Sequence, residues 1–224
     1  DWWYIANYTQ PTLSMNSISP TIVEVGSSTG YTIAGGMTNP CNYTLSAGSI
    51  PLLGYSCGAS PTYSTGYTHQ PTTHGTTTIT AQQDWVMTTT DCEAGSPTSG
   101  TKTASRTITN VYPVLWGMSA TVYNNSNNPP YAGWSKRVTT EGNQTGLTMT
   151  GTNQYMYIMI PKSWADYTVL SIIDHNGFNV TPSFTAYDVS ITSTGLTNNW
   201  TQDYKLYKLN NLTTASGFNY TYNK

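Results

Sequence analysis

Apolar and polar residues alternate with a period of two, in short segments cut by clusters of Gly, Pro, Asn and Ser, from one end of this 224-residue chain to the other. That period sends successive side chains to opposite faces of a strand, and it cannot build the apolar stripe of a helix. Val23 and Val25 flank Glu24, and Tyr31 and Ile33 flank Thr32. Further on, Ile79, Ala81, Trp85 and Met87 share one parity, and Thr78, Thr80, Gln82 and Asp84 the other. This predicts a long strand with one dry and one wet face, carrying the core of its domain. Only 8% of residues are charged, against about 25% in an ordinary domain. Thr, Ser, Asn, Gly and Tyr take the vacated positions, and Thr and Tyr favour strands. The expected class is therefore all-β, a sandwich or barrel.

The run Glu93 to Arg106, EAGSPTSGTKTASR, has almost no apolar residues and reads as a long loop or hairpin tip. A junction is expected close to Asn110, dividing the chain into 1–110 and 111–224, because Val111–Trp116 opens a more aromatic, more strongly patterned region. Pro113 argues against a central ladder position there. QYMYIMIP, from Gln154 to Pro161, is apolar on both parities and should be covered on both faces, by a second sheet or by another subunit. Val189 with Ile191, and Phe218 with Tyr220 and Tyr222, alternate with polar neighbours as half-buried strands do. His175-Asn176-Gly177 predicts a tight type I′ hairpin turn, and Ser163-Trp164-Ala165-Asp166 is a weak capping box for a single helical turn.

The net charge is −2, and no cluster of Lys and Arg is denser than Lys136-Arg137, so nucleic acid is not an expected partner. The longest apolar stretch, Tyr155 to Ile160, is far short of the roughly 20 residues a membrane-spanning helix needs, and no membrane insertion is expected. The chain opens on Asp1-Trp2-Trp3 without an initiator Met, which reads as a processed form or a part of something larger. Cys41, Cys57 and Cys92 are either three thiols or one Cys41–Cys57 bridge with a thiol left over. No nucleophile elbow, phosphate loop, dinucleotide fingerprint or zincin helix is present, so no catalytic residue and no cofactor is assigned. A glycan-cleaving pair of carboxylates needs two acids across a groove, for which Glu141 with Asp166 is a candidate. His69 and His74 are separated by Pro71, which breaks any helix that would align them, and no metal site is assigned. Asp174-His175 reads as part of the turn rather than as an acid–base pair. Sequons at Asn143, Asn179 and Asn199 are of the kind that an Asn- and Thr-rich chain produces by chance.

YPVLWGMS (Tyr112 to Ser119), QYMYIMIP, SIIDHNGFNVTPSF (Ser171 to Phe184) and STGLTNNWTQDYKLYK (Ser193 to Lys208) resemble a C-terminal β domain of virion proteins from tailed bacteriophages, of tail-fibre, baseplate or unspecified structural type. SPTIVEVGSS, ITAQQDW and GSPTSGTKTASRTI resemble the Ig-like module that often precedes it. The two resemblances cover nearly the whole chain. They imply an Ig-like β-sandwich at 1–110 followed by a second antiparallel β-sandwich at 111–224. They also imply a place on the particle surface, other virion proteins as partners, and a homo-oligomer of trimeric type. The quoted motifs belong to turns and strands and imply no chemistry.

One segment has a functional reading of its own. Tyr123 to Trp134, YNNSNNPPYAGW, is too polar for a core yet carries three large rings, Tyr123, Tyr131 and Trp134. Rigid rings beside Asn and Ser groups make good contact surfaces at low entropic cost. These three are the candidate ligand-binding residues, for a host cell-surface glycan or protein. Alternatively, Tyr131 and Trp134 fold back as lids over the barrel end or fill a subunit contact. The function expected is a phage fibre or spike component that attaches to the host surface by multivalent adhesion. Its rivals are a baseplate or capsid-decorating protein binding only virion proteins, a glycan depolymerase, and a bacterial surface adhesin.

Overall fold

The computed structural model describes residues 12–38, 43–47, 50–55, 62–86 and 99–224. The chain is all-β: among the described residues the only helical element is one 3-10 turn, Thr181–Ser183. Two compact units are formed, each from discontinuous sequence. The first takes the described parts of Asp1–Thr21, Thr29–His69 and Thr76–Ile108, and the second takes Ile22–Ser28, Gln70–Gly75 and Thr109–Lys224.

The strands as far as Val111 are β1 (Thr12–Ser19), β2 (Ile22–Glu24), β3 (Thr29–Thr38), β4 (Tyr43–Ala47), β5 (Ile50–Tyr55), β6 (Thr62–His69), β7 (Gly75–Val86) and β8 (Ser99–Val111), of which β2 and the last three residues of β8 belong to the second unit. One antiparallel sheet has the order β1-β3-β6. A second has the order β2-β8-β7-β4-β5, in which β2 pairs parallel with Thr109, Asn110 and Val111 of β8. Tyr31 and Ile33 are buried while Thr32 is exposed, as their parity predicts. Tyr31 lies opposite Tyr67 across the ladder, with ring centroids 5.5 Å apart, the kind of aromatic pair that stabilises neighbouring strands. In β7, Ala81 is buried, Ile79 half-buried and Thr78 exposed. The side chain of Trp85, and Met87, fall outside the described residues, as do Cys41, Cys57 and Cys92.

The loop expected over Glu93–Arg106 is a strand for its second part, since Ser99–Arg106 lies within β8. Strand pairing satisfies backbone groups and needs no apolar side chain, and Thr is a good strand former when its face is wet. Here Thr101, Thr103 and Ser105 are exposed, and Ser105 Oγ meets Thr80 Oγ1 at 2.9 Å.

The second unit is built on β9 (Val114–Ser119), β10 (Ser135–Arg137), β11 (Gln144–Pro161), β12 (Ser171–Ile173), β13 (Phe184–Thr192), β14 (Thr201–Leu209) and β15 (Thr213–Asn223). Pro113 stands between β8 and β9, outside both ladders, where its missing N–H costs nothing. The long strand β11 serves two sheets: Gln144–Gln154 pairs with β15, and Tyr155–Pro161 pairs with β9 and β14. The change of partner coincides with a register irregularity between Gly151 and Gln154, where Asn153 takes a φ of 53°. Such a bulge bends a strand and redirects it. The result is a sheet ordered β10-β9-β11-β14-β13 and a second one of β11, β15 and β12.

QYMYIMIP is buried on both parities from Met156 onward, and each parity feeds its own core. Met156, Ile158 and Ile160 pack with Leu147, Met149, Ile172, Tyr220 and Tyr222 between the two sheets. Tyr157 and Met159 point to the other face, where Val25, Leu115, Ile191, Trp200, Tyr204 and Leu206 surround them. Among the described residues no second sheet closes that face. It is roofed by rings from the connecting segments, Tyr112, Tyr123, Tyr131 and Trp134 among them. Each of these buried side chains contributes roughly 1.5–3 kcal/mol, so both faces of one strand organise the unit.

Two local expectations are corrected. The hairpin at His175-Asn176-Gly177 is not type I′, because Asn176 does not take a positive φ; Gly177 alone does, at 85°. Gly177 N–H donates to Asp174 O at 3.0 Å, and Asp174 N–H to Phe178 O at 2.9 Å, the pattern of a tight turn followed by a left-handed glycine. The Asp174 carboxylate drives this form by accepting from Asn176 N–H at 3.0 Å and Phe178 N–H at 2.8 Å. Ser163–Asp166 forms a turn rather than a helical cap, and its N–H groups at Ala165 and Asp166 are taken by Glu141 instead.

Candidate binding surface

The polar connection between β9 and β10 has few apolar residues to hold it, and its own amides do that work. Asn124 and Asn127 exchange backbone hydrogen bonds of 3.1 and 3.2 Å. The Asn124 side-chain oxygen accepts from Ser126 N–H at 2.8 Å, and Asn127 Nδ2 donates to Val122 O at 2.8 Å. Asn128 Oδ1 accepts from Ser190 N–H at 3.1 Å, which ties the loop to β13. At its root, the buried Tyr157 hydroxyl donates to Thr121 O at 2.8 Å and accepts from Tyr123 N–H at 3.2 Å. Short Asn side chains bond local backbone readily, so a run rich in Asn makes a stiff loop.

The three candidate rings part company within this frame. Tyr123 and Trp134 stay together, centroids 5.8 Å apart at 71°, and both rest edge-on against Tyr157 at 5.6 and 5.5 Å. Trp134 Nε1 donates to Pro130 O at 2.7 Å, which fixes the indole plane. Both rings are half-buried and line an open cleft of about 200 Å³ with Met118, Ser119, Pro130 and Gly133. Tyr131 turns the other way. Its hydroxyl bonds the Glu24 carboxylate, its ring sits edge-on to Trp200 at 5.4 Å, and Lys136 Nζ lies 2.8 Å from its oxygen and 5.2 Å above its ring. Tyr131 braces the loop rather than facing the cleft.

On the other flank of the loop, Asn125 and Asn128 border a second cleft of about 260 Å³ with Lys162, Asp188, Ser190 and Asp203. Asp188 is gripped by Lys205 at 3.0 Å and Lys162 at 3.1 Å, and those two ammonium groups hold its carboxyl below the usual range. One rigid loop thus presents stacking rings on one side and hydrogen-bonding amides and charges on the other.

No family model, curated protein or solved structure matches this chain.

The remaining candidates sit as follows. Glu141 and Asp166 are neighbours, but the Glu141 carboxylate is engaged by Lys224 Nζ and by the N–H groups of Ala165 and Asp166, at 2.9 and 3.3 Å. The Lys224 bond leads in lowering the pKa of Glu141, and the Thr168 N–H leads in lowering that of Asp166. Both shifts favour the ionised form, opposite to what a general acid requires. His69 ends β6 edge-on to Tyr31 at 6.2 Å, and His74 stacks on Tyr112 at 5.9 Å. His175 stacks on Phe218 at 3.9 Å while Asp174 binds turn amides.

Glu24 was not foreseen. Alternation places it on a wet face between Val23 and Val25, yet it is 6% exposed, held by Lys136 Nζ at 2.8 Å and by the Tyr131 hydroxyl. Burial is the leading effect on Tyr131 and raises its pKa, with the Glu24 bond adding to the rise. A lone acid inside a β-branched run, with Lys136 the nearest thing to a basic cluster downstream, was the available signal.

Proposed function

We propose that this chain is a non-enzymatic binding component on the surface of a tailed-phage particle, which attaches the particle to a carbohydrate or protein on the host surface. The observation that carries the reading is the stiff β9–β10 loop. It fixes Tyr123 and Trp134 along one cleft and Asn125 and Asn128 along another. Flat rings that stack on sugar faces, beside amides that bond hydroxyls, suit neutral polar ligands, and a rigid loop loses little entropy on contact. A chain with 8% charge offers little long-range attraction, so each contact is weak and attachment depends on several copies acting together. The resemblance in the strand and turn motifs supplies the particle and the oligomer. The test is competition: excess purified chain should slow adsorption of particles to host cells, and the Trp134→Ala chain should not. Equal competition by both chains, or by neither, refutes the reading.

A second reading, a baseplate or decorating protein that binds only virion proteins, draws on Leu170 and Phe178, which are 73% and 67% exposed. Large exposed apolar residues mark protein contacts when they cluster. Under this reading the chain ignores host cells but docks onto particles lacking it.

A further inference from the structure

The sheet ordered β10-β9-β11-β14-β13 has two outer edges of unequal kind. β10 is three residues long and includes Lys136 and Arg137, the short and charged kind of edge that discourages pairing with another chain. β13 runs for nine residues, FTAYDVSIT, without Lys, Arg or Pro, and among the described residues no strand lies on its outer side. Two bonds fix which of its backbone groups face outward. Ser190 N–H turns away from β14 to the Asn128 amide oxygen at 3.1 Å, and Asn210 N–H reaches Ser183 O at 2.9 Å across the far end of the β13–β14 ladder. Alternation along an antiparallel ladder then points the backbone groups of Thr185, Tyr187 and Val189 at β14, and those of Phe184, Ala186 and Asp188 outward. Ala186 and Asp188 are exposed, and no described residue takes their N–H groups. The unpaired stretch is stopped at both ends. Asn128 occupies Ser190 on one side, and on the other the 3-10 turn Thr181–Ser183 takes Phe184 N–H onto Thr181 O. Ala186 is its midpoint.

A row of outward amides at strand spacing fits another extended backbone, and this row is complementary to itself. About a two-fold axis at Ala186, the Ala186 residues of two copies exchange two hydrogen bonds, and each Asp188 N–H donates to Phe184 O of the other copy. Alanine leaves room at the axis. Thr185 of each copy faces Tyr187 of the other, a β-branched and aromatic pairing that sheets favour. The stops match as well: Ser190, whose N–H is taken by Asn128, comes opposite Pro182 of the other copy, which has no N–H to give. Asp188, the one charge in the strand, is already held by Lys205 and Lys162 at 3.0 and 3.1 Å. In this register the two Asp188 residues stand roughly 15 Å apart, beyond the Debye length, so they do not oppose pairing. A foreign strand has no reason to end at both stops.

We infer that this chain forms a two-fold dimer by antiparallel pairing of β13 with β13 of a second copy over Phe184, Ala186 and Asp188, joining two sheets edge to edge. Such pairing closes at two copies, where the resemblance in the sequence implies three, and it holds whatever the loop binds.

The test is sedimentation equilibrium of the purified chain, with amide hydrogen exchange at the same concentrations. An interface this small is weak, so the mass should rise reversibly from 24.4 kDa towards twice that value as concentration climbs to about 1 mM. The Ala186 and Asp188 amides should gain protection in step with the mass, about tenfold once nine-tenths of the chain is paired, while those of Thr185 and Tyr187 stay protected throughout. Ala186→Lys sets two ammonium groups against each other at the axis on an exposed position, and should hold the chain at 24.4 kDa with its fold intact. Ala186→Pro removes an N–H that the β13–β14 ladder does not use and should do the same; if it misfolds, Ala186→Lys decides. A parent mass that stays at 24.4 kDa up to about 1 mM, a mass of three copies, a dimer that survives Ala186→Lys, or a dimer whose Ala186 and Asp188 amides exchange as freely as the monomer's would each overturn the inference. So would protection of those two amides that appears on assembled particles but never in the concentrated chain, which puts a different protein on this edge.

Discussion

Replacing Tyr157 by Phe removes one oxygen atom and leaves the ring, so it isolates what holds the β9–β10 loop in place. Tyr157 is fully buried, and its hydroxyl makes two bonds to that loop, 2.8 Å to Thr121 O and 3.2 Å from Tyr123 N–H. Each is worth about 1 kcal/mol net. The losses are not equal, because Thr121 is exposed and its carbonyl can turn to water, whereas Tyr123 is half-buried and its N–H is left stranded. The expected cost is about 1.5–2.5 kcal/mol, most of it at Tyr123. In urea this should appear as a lower midpoint at unchanged slope. Hydrogen exchange should localise it: the Tyr123 amide should lose about tenfold in protection for each ~1.4 kcal/mol by which the loop opens more easily. A variant within about 0.5 kcal/mol of the parent, with Tyr123 exchanging at its original rate, would show that ring packing alone holds the loop and refute this account of its stiffness.

Three further outcomes follow from the same unit. Burial pushes the Tyr157 hydroxyl up to about 12, and raises those of Tyr204 and Tyr222 as well. The unfolded chain loses these protons near pH 10 while the folded chain keeps them. Stability is therefore fully present below pH 10 and drains away as pH rises through about 12, with Tyr157 among the groups that contribute to the loss; thermal melts that do not fall over this window contradict the burial assigned to it. Gly26 has a φ of 80° and donates to Pro71 O at 2.8 Å, and a Cβ there would run into the Asn198 carbonyl. Gly26→Ala should thus cost about 2 kcal/mol or more in urea unfolding. Glu24→Ala leaves the Tyr131 hydroxyl and Lys136 without their carboxylate; Lys136 is 43% exposed and can rehydrate, so the cost should be about 1–3 kcal/mol. Ultraviolet titration of the Glu24→Ala chain should show Tyr131 ionising at lower pH than in the parent.

The class was legible because parity is a local property. Tyr31 with Ile33, Val189 with Ile191, and Tyr220 with Tyr222 all bury the side that alternation assigned to the core. The double-sided burial of QYMYIMIP was also readable, since a strand apolar on both parities must be covered twice. What covers it was legible only in part: Tyr131 and Trp134 folding back as lids was one of the readings open, but the loop hydrogen bonds that hold Tyr123 and Trp134 on Tyr157 and carry Tyr131 to Glu24 leave no periodic trace. The β8 error has the opposite cause: a Thr- and Ser-rich strand with wet neighbours lacks the apolar residues that mark strands. Glu24 was misjudged because its partners Tyr131 and Lys136 are distant in sequence, and only tertiary pairing makes a buried carboxylate tolerable. In the loop, composition identified the rings but not their division, since nothing local tells Tyr131 to seek Glu24 while Trp134 keeps to the cleft.

Glycan-array binding by the purified chain and its Trp134→Ala counterpart tests the central claim most directly. The parent should bind a restricted set of host-surface glycans, and the variant should lose those signals while keeping the parent's circular dichroism and melting behaviour. Identical array profiles for the two folded chains would contradict a contact surface built on Tyr123 and Trp134.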